Sequence, residues 1–201
     1  MEDDIYKTIA GRSEGLFKDK GSKFISYAIP VFSEDEVKIH LDEIKKEHHK
    51  ARHHCYAWRI GTEEISYRAN DDGEPSSTAG KPILGQLLSY ELTNTLIVVV
   101  RYFGGTLLGV SGLINAYKNA AADAIQNNNI LTKKIKSIFE IRFTYQQLNE
   151  VMQIIKNENL NQEHTDFREN CLIRFSVRKG EAERVKNIFD DFYGVSIKKL
   201  S

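Results

Sequence analysis

The stretch Leu96-Ile97-Val98-Val99-Val100 constrains this chain more than any other. Apolar residues run through it without alternation, as expected of a strand covered on both faces. It leads into Arg101-Tyr102-Phe103-Gly104-Gly105, a charge, two aromatics and a glycine pair. The other chemically unusual stretch is Asp71-Asp72-Gly73-Glu74-Pro75-Ser76-Ser77-Thr78-Ala79-Gly80-Lys81-Pro82, with three carboxylates, three hydroxyls, two glycines and two prolines. Any activity should be sought in these two stretches.

A chain of 201 residues allows one large domain or two small ones. Lysine plus arginine equals aspartate plus glutamate at 28 each, so net charge does not point to nucleic acid. A local basic patch can still bind one, because binding answers to the local field. The acidic start, MEDDIYKTIA, is unlike a secretory signal. No stretch reaches the roughly 18 apolar residues that a membrane helix needs, so no membrane association is expected. Cys55 and Cys171 stand far apart without metal-type spacing, which fits a reduced, cytoplasmic protein.

Residues 1–12 read as an irregular lead-in. Two strands are expected between Glu14 and Phe32, turning near Asp19-Lys20-Gly21. Ser33-Glu34-Asp35-Glu36 is a capping box, with Ser33 as N-cap and Glu36 reaching back to it. Val37, Leu41 and Ile44 give the helix that follows a buried stripe. That helix runs into Lys45-Lys46-Glu47-His48-His49-Lys50-Ala51-Arg52-His53-His54, the most basic patch of the chain. Strands are expected at Cys55–Ile60 and Ile65–Arg68. A helix should start at Lys81-Pro82, with Leu84, Leu87 and Leu88 inward. After Gly104–Gly112, a second helix should bury Leu113, Tyr117, Ala120, Ala121 and Ala124. Asn127-Asn128-Asn129 ends it and is the linker candidate.

Beyond the linker, Phe139, Ile141 and Phe143 alternate with polar residues. Thr144-Tyr145-Gln146-Gln147 is a second capping box, opening a helix with Leu148, Val151, Met152 and Ile155 inward. A strand at 161–168 turns at Glu169-Asn170 into the alternating Cys171, Ile173, Phe175 and Val177. A helix with Val185, Ile188, Phe189 and Phe192 follows, Gly194 caps it, and Val195 with Ile197 closes the chain. The order β-α-β-β-α-β is the ferredoxin-like pattern. The expected class is α+β, with domains at 1–129 and 133–201.

Each candidate site has a structural alternative. Asp71, Asp72 and Glu74 could hold a divalent ion, yet Asp-Gly and Glu-Pro also make turns. Ser76, Ser77 and Thr78 could supply a nucleophile with His54 as base, yet hydroxyls before a helix commonly cap it. Gly104 and Gly105 could offer backbone N–H groups to an anion, helped by Arg101, Lys81, Thr78 and Gly80. Paired glycines also serve tight packing. Lys45, Lys46, Lys50, Arg52 and His53 could contact an RNA backbone, with Tyr56, Trp58, Tyr102 or Phe103 stacking on bases, yet a basic run also makes a solvated helix end and aromatics commonly fill a core. Neighbouring histidines on one segment point in different directions, so no zinc site is expected there.

Three further runs matter together with these: His54-Cys55-Tyr56-Ala57-Trp58-Arg59, Thr78-Ala79-Gly80-Lys81-Pro82-Ile83-Leu84, and Val98-Val99-Val100-Arg101-Tyr102-Phe103-Gly104-Gly105 with Leu108-Gly109 and Ala116-Tyr117. With Asp71-Asp72-Gly73-Glu74-Pro75 they resemble the IMPACT family, and more narrowly its bacterial, YigZ-type branch. The resemblance implies an N-terminal domain of the ribosomal protein S5 domain 2-like fold, a small sheet with helices on one face. The tail resembles the ferredoxin-like C-terminal domain of that branch. Similar eukaryotic proteins act in translational control under stress. This chain departs from the family pattern at Ser77, where glycine is usual, and at Ser111 and Asn115, where glycine and arginine are usual. Losing that arginine removes one candidate anion contact.

The expected function is therefore a cytoplasmic, non-enzymatic binding protein linked to translation. It would contact RNA, the ribosome or a protein partner through a cleft formed by 71–82 and 101–105, with His54, Asp71, Asp72, Glu74, Tyr102 and Phe103 in it. No metal or cofactor is expected. The alternative is an enzyme, a metal-assisted or phosphate-handling hydrolase using Asp71, Asp72 and Glu74. Convergence of those carboxylates in one pocket would favour it.

Overall fold

The computed structural model describes residues 4–168 and 170–200. The chain divides into two compact units, Tyr6–Lys133, and Met1–Ile5 joined with Lys134–Ser201. The class is α+β.

In the first unit, β1 (Ile5–Ile9) precedes the hairpin β2 (Ser13–Asp19) and β3 (Ser22–Pro30). Lys20 and Gly21 take positive φ at the turn. Helix α1 (Glu34–Glu47) follows, with the Ser33 side chain accepting from the Glu36 N–H. Glu36 reaches back one residue further than expected, since its Oε2 accepts from the Phe32 N–H at 2.7 Å. Then come β4 (His53–Ile60), β5 (Ser66–Asn70), α2 (Gly80–Ser89), β6 (Thr95–Tyr102), α3 (Gly109–Gln126) and β7 (Ile130–Lys134). Five strands form an antiparallel sheet in the order β2-β3-β6-β4-β5, with β6 at its centre.

The central strand explains the architecture. Leu96, Val98 and Val100 point to one face and pack with Val37, Leu41 and Ile44 of α1. Ile97 and Val99 point to the other and pack with Ile83 and Leu87 of α2 and Leu113, Tyr117 and Ala120 of α3. Strand residues alternate in direction, so an unbroken apolar run needs a cover on each side. Helices on one face only, as the resemblance implies, is thus corrected: α1 takes the second face. Each large aliphatic side chain buried this way stabilises the unit by about 1.5–3 kcal/mol.

Three local expectations change. Leu88 is 53% exposed, and Ile83 rather than Leu88 joins Leu87 in the core, the two lying one turn apart on the buried face of α2. Residues 5–9 are not irregular: β1 pairs with β7. The asparagine run is bound rather than loose. Asn128 Nδ2 donates to the Gly11 carbonyl at 2.7 Å, Asn127 Nδ2 donates to the Glu14 carbonyl at 2.9 Å, and the Ala10 N–H donates to the Asn129 carbonyl at 2.9 Å.

In the second unit, β8 (Lys136–Phe143), a single 3₁₀ turn (Tyr145–Gln147), α4 (Leu148–Asn157), β9 (Asn161–Asp166), β10 (Cys171–Arg178), α5 (Ala182–Asp190) and β11 (Ser196–Lys199) follow in order. The Thr144–Gln147 capping box is formed. The sheet order β11-β8-β10-β9, antiparallel throughout, is ferredoxin-like. Phe139, Phe175 and Phe189 meet in its core with Val151 and Ile155. Of the turn expected at Glu169-Asn170, Glu169 lies outside the described residues. Asp4 belongs to this unit, where its carboxylate takes the guanidinium of Arg178 and its carbonyl accepts from the Ile135 N–H.

Candidate functional site

Every acidic side chain of the 71–82 loop is engaged, each by a different element. Asp71 stands six, eight and nine residues before the N–H groups it serves. Its Oδ1 accepts from Ala79 and Gly80 at 3.0 and 2.8 Å, and its Oδ2 accepts from Ser77 at 2.9 Å. Helix α2 starts without a cap from its own N-cap residue, Ala79, so Asp71 supplies one from a distance. Burial pushes the Asp71 carboxyl up, but its three N–H donors together hold it below the usual range. Asp72, with φ of 41°, accepts from the His54 N–H at 2.6 Å through Oδ2.

Glu74 turns inward. Its Oε1 accepts from Arg101 Nη1 at 2.6 Å and from the Tyr117 hydroxyl at 2.8 Å. The Glu74 and Arg101 side chains are 4% and 7% exposed. Arg101 shares the odd-numbered face of Ile97 and Val99, which brings it to the α3 face. Its guanidinium lies 5.5 Å from the Phe24 ring centroid and 5.6 Å from that of Phe103. Cys55 lies under Tyr117, with Sγ 3.3 Å from the phenol oxygen and 3.0 Å from the Asp71 carbonyl. Burial pushes both the Cys55 thiol and the Tyr117 phenol upward, so neither ionises in the ordinary pH range. The linked set Arg101–Glu74–Tyr117–Cys55 therefore behaves as a buried polar network that fixes β6, α3, β4 and the loop to one another.

Thr78 and His54 are also engaged within the fold. Thr78 Oγ1 donates to the Pro75 carbonyl at 2.6 Å. His54 Nε2 faces the His48 carbonyl at 3.2 Å and Nδ1 lies 3.7 Å from Asp72 Oδ2, so no hydroxyl of 76–78 shares its ring. The three carboxylates do not converge, and among the described residues no group of three potential metal ligands forms. Gly104 is a packing glycine. Its N–H donates to Ser22 Oγ at 3.1 Å, and a Cβ there would lie 1.8 Å from the Gly21 carbonyl carbon. Gly105 takes φ of 87° in open space.

What the fold does bring together is a cavity of about 850 Å³ in the first unit. Lys50 and Arg52, just before β4, and His53, its first residue, line it. Arg101, Tyr102 and Phe103 enter from the end of β6. Leu107, Leu108, Val110 and Leu113, at the start of α3, complete it with Glu74 and Pro75. The first turn of α3 holds no acidic residue and has no side-chain cap, so the positive end of its dipole adds to the positive charge of the lining. Thus 50–53 and 101–103 meet as candidates from two separate expectations. Lys81, Thr78, Gly80, Gly104, Gly105, Asp71, Asp72 and His54 are not part of the lining, and neither are Lys45 and Lys46. Leu107 and Val110 were not singled out from sequence. Their signal is that two bulky aliphatics in a glycine-rich stretch are 82% and 60% exposed, which only the structure can tell.

Comparison with known proteins gives one answer. Residues 20–125 match the Impact N-terminal domain family. The chain is 33% identical over 176 residues to the IMPACT family member YvyE of Bacillus subtilis, covering 88% of this chain and 81% of that one. It is 30% identical over 184 residues to the IMPACT family member YigZ of Escherichia coli, covering 90% of each. A crystal structure described as that of a hypothetical protein superposes with a TM-score of 0.71 at 26% identity, over 98% of both chains. The matched region contains the buried Arg101–Glu74–Tyr117 network and the whole cavity, and the chain belongs to the IMPACT family.

Proposed function

We propose that this chain is a regulatory binding protein linked to translation, and that it meets the ribosome, its RNA or an associated protein through the cavity between 50–53 and the start of α3. One observation carries this reading. The cavity is lined by the cations Lys50 and Arg52 together with apolar residues of 103–113, and its one carboxylate, Glu74, is neutralised by Arg101 at 2.6 Å. Such a surface recognises; it holds no paired acid and base placed for proton transfer. The surface differs from the cleft expected from sequence in having 50–53 and 107–113 in place of most of 71–82. Membership of the family supports the translation link, since the resemblance implies translational control for similar eukaryotic proteins. No helix among the described residues is long and apolar enough to cross a membrane.

The test is cosedimentation of the full chain with ribosomes across a salt titration, using the wild type and a Lys50→Glu/Arg52→Glu double variant. The reading predicts saturable binding at low salt that weakens as salt rises and is lost in the double variant. Absence of saturable binding at low salt would overturn it.

A further inference from the structure

The apolar part of the cavity lining is more exposed than a folded core or an RNA platform requires. Leu107 is 82% exposed, Val110 60% and Phe103 57%, and all three line the same cavity around the start of α3. Ile114, one turn beyond Val110 on the same helix face, is a further 38% exposed. Contiguous exposed aliphatics on a soluble domain mark a surface that another molecule covers. Aliphatic side chains offer neither the flat π-face that stacks on bases nor donors for their edges. Of the two aromatics in the lining, Phe103 faces the Arg101 guanidinium and the Tyr102 hydroxyl is bonded to His48 Nδ1 at 2.9 Å.

The surrounding charge says what that molecule carries. Lys50 and Arg52 are exposed in the same lining, and among the described residues neither forms an ion pair that would neutralise it. The uncapped start of α3 adds partial positive charge to the same lining. Arg101, by contrast, is balanced by Glu74. The complement of a lining that is part aliphatic and part cationic is a set of bulky apolar anchors flanked by carboxylates. The volume of about 850 Å³ lies within the range that accepts such anchors.

We infer that the cavity formed by Lys50, Arg52, Phe103, Leu107 and Val110 docks a short acidic segment of a partner protein, inserting its apolar side chains against the apolar part of the lining. This rests on the binding-protein reading above and names the class of partner. The carboxylates of the segment meet Lys50 and Arg52, where they contribute to encounter rate and register. The apolar anchors supply most of the affinity.

The probe is a displayed library of random peptides of about twelve residues, selected on the full chain. Enriched peptides are then measured by fluorescence anisotropy against the wild type, Arg52→Glu and Leu107→Asp. Both substituted side chains are exposed, so the variants should keep the wild-type melting temperature. The expected result is enrichment of aspartate and glutamate together with leucine, isoleucine or phenylalanine, with affinity falling at least about tenfold in each variant. Enrichment of basic or uncharged peptides, a selection that yields no binder, or acidic peptides indifferent to both substitutions would overturn the inference. So would a single-stranded RNA that binds the wild type and is lost in Leu107→Asp, or self-association of the chain lost in the same variant. Ribosome cosedimentation run in parallel separates the two readings. Ribosome binding that persists without any acidic binder sinks the inference alone; acidic binders without ribosome binding sustain it and sink the translation link.

Discussion

Arg101 and Glu74 are joined by a 2.6 Å contact at which both side chains are almost wholly removed from solvent. The pair shares its carboxylate with the Tyr117 hydroxyl, so a strand, a loop and a helix meet on one oxygen. Removing one partner strands the other charge in the core. Glu74→Ala and Arg101→Ala should each cost about 3–5 kcal/mol in urea unfolding. The double variant Glu74→Leu/Arg101→Met should cost clearly less than the sum of the two single losses. Additive losses would show that the pair does not act as a unit.

The loop itself predicts a stabilised variant. Ser77 takes φ of 63°, a left-handed conformation that side chains resist. Its N–H donates to Asp71, so the conformation is held in place by the cap on α2. The glycine usual in the family fits this geometry. Ser77→Gly should therefore raise stability by about 0.5–1 kcal/mol, read as a higher urea midpoint at unchanged slope. A lower midpoint would contradict the account.

Gly104 and Gly105 should respond differently to alanine. A Cβ at Gly104 meets the backbone of Gly21 and Ser22 at 1.8–2.2 Å, which the β2–β3 turn cannot yield without moving. Gly105 has open space and only a positive φ to satisfy. Gly105→Ala should cost about 1 kcal/mol, whereas Gly104→Ala should lower the melting temperature much further. Equal effects would argue against the packing role assigned to Gly104.

His54 makes stability depend on pH. Burial holds its pKa below the usual value of 6.5, and its Nε2–H donates to the His48 carbonyl. The unfolded chain therefore binds more protons than the folded one just below pH 6.5. The stability that neutral His54 provides is complete above that pH and is lost as pH falls through the folded-state pKa. Urea midpoints should fall on acidification from pH 7 to pH 5, and NMR titration should place the His54 pKa below 6.5. A His54 that titrates above 6.5 would reverse the sign.

Much of the fold is legible in the sequence because its signals are local. Ser33 caps α1, and the stripe Leu113, Tyr117, Ala120, Ala121 and Ala124 is buried as its spacing requires. The β-α-β-β-α-β order of the tail follows from alternation and capping boxes alone. The β1–β7 pairing was hidden because it joins segments more than a hundred residues apart, and β7 is exposed along its whole length. The single-face helix expectation came from resemblance, while the unbroken run 96–100 already demanded two covers. The candidate site was legible only in its parts. Arg52, Arg101 and Phe103 were chosen for their chemistry, but their meeting beside Leu107 and Val110 is tertiary and leaves no trace in spacing. The Asp71 cap was hidden for a related reason: its N–H partners lie six, eight and nine residues on, beyond the local capping pattern.

The most direct measurement is cosedimentation with ribosomes of the wild type, Arg52→Glu and Leu107→Asp at low salt. The cavity account predicts saturable binding of the wild type and loss of at least about tenfold in both variants, with melting temperatures unchanged. Wild-type binding that both variants retain in full would contradict it.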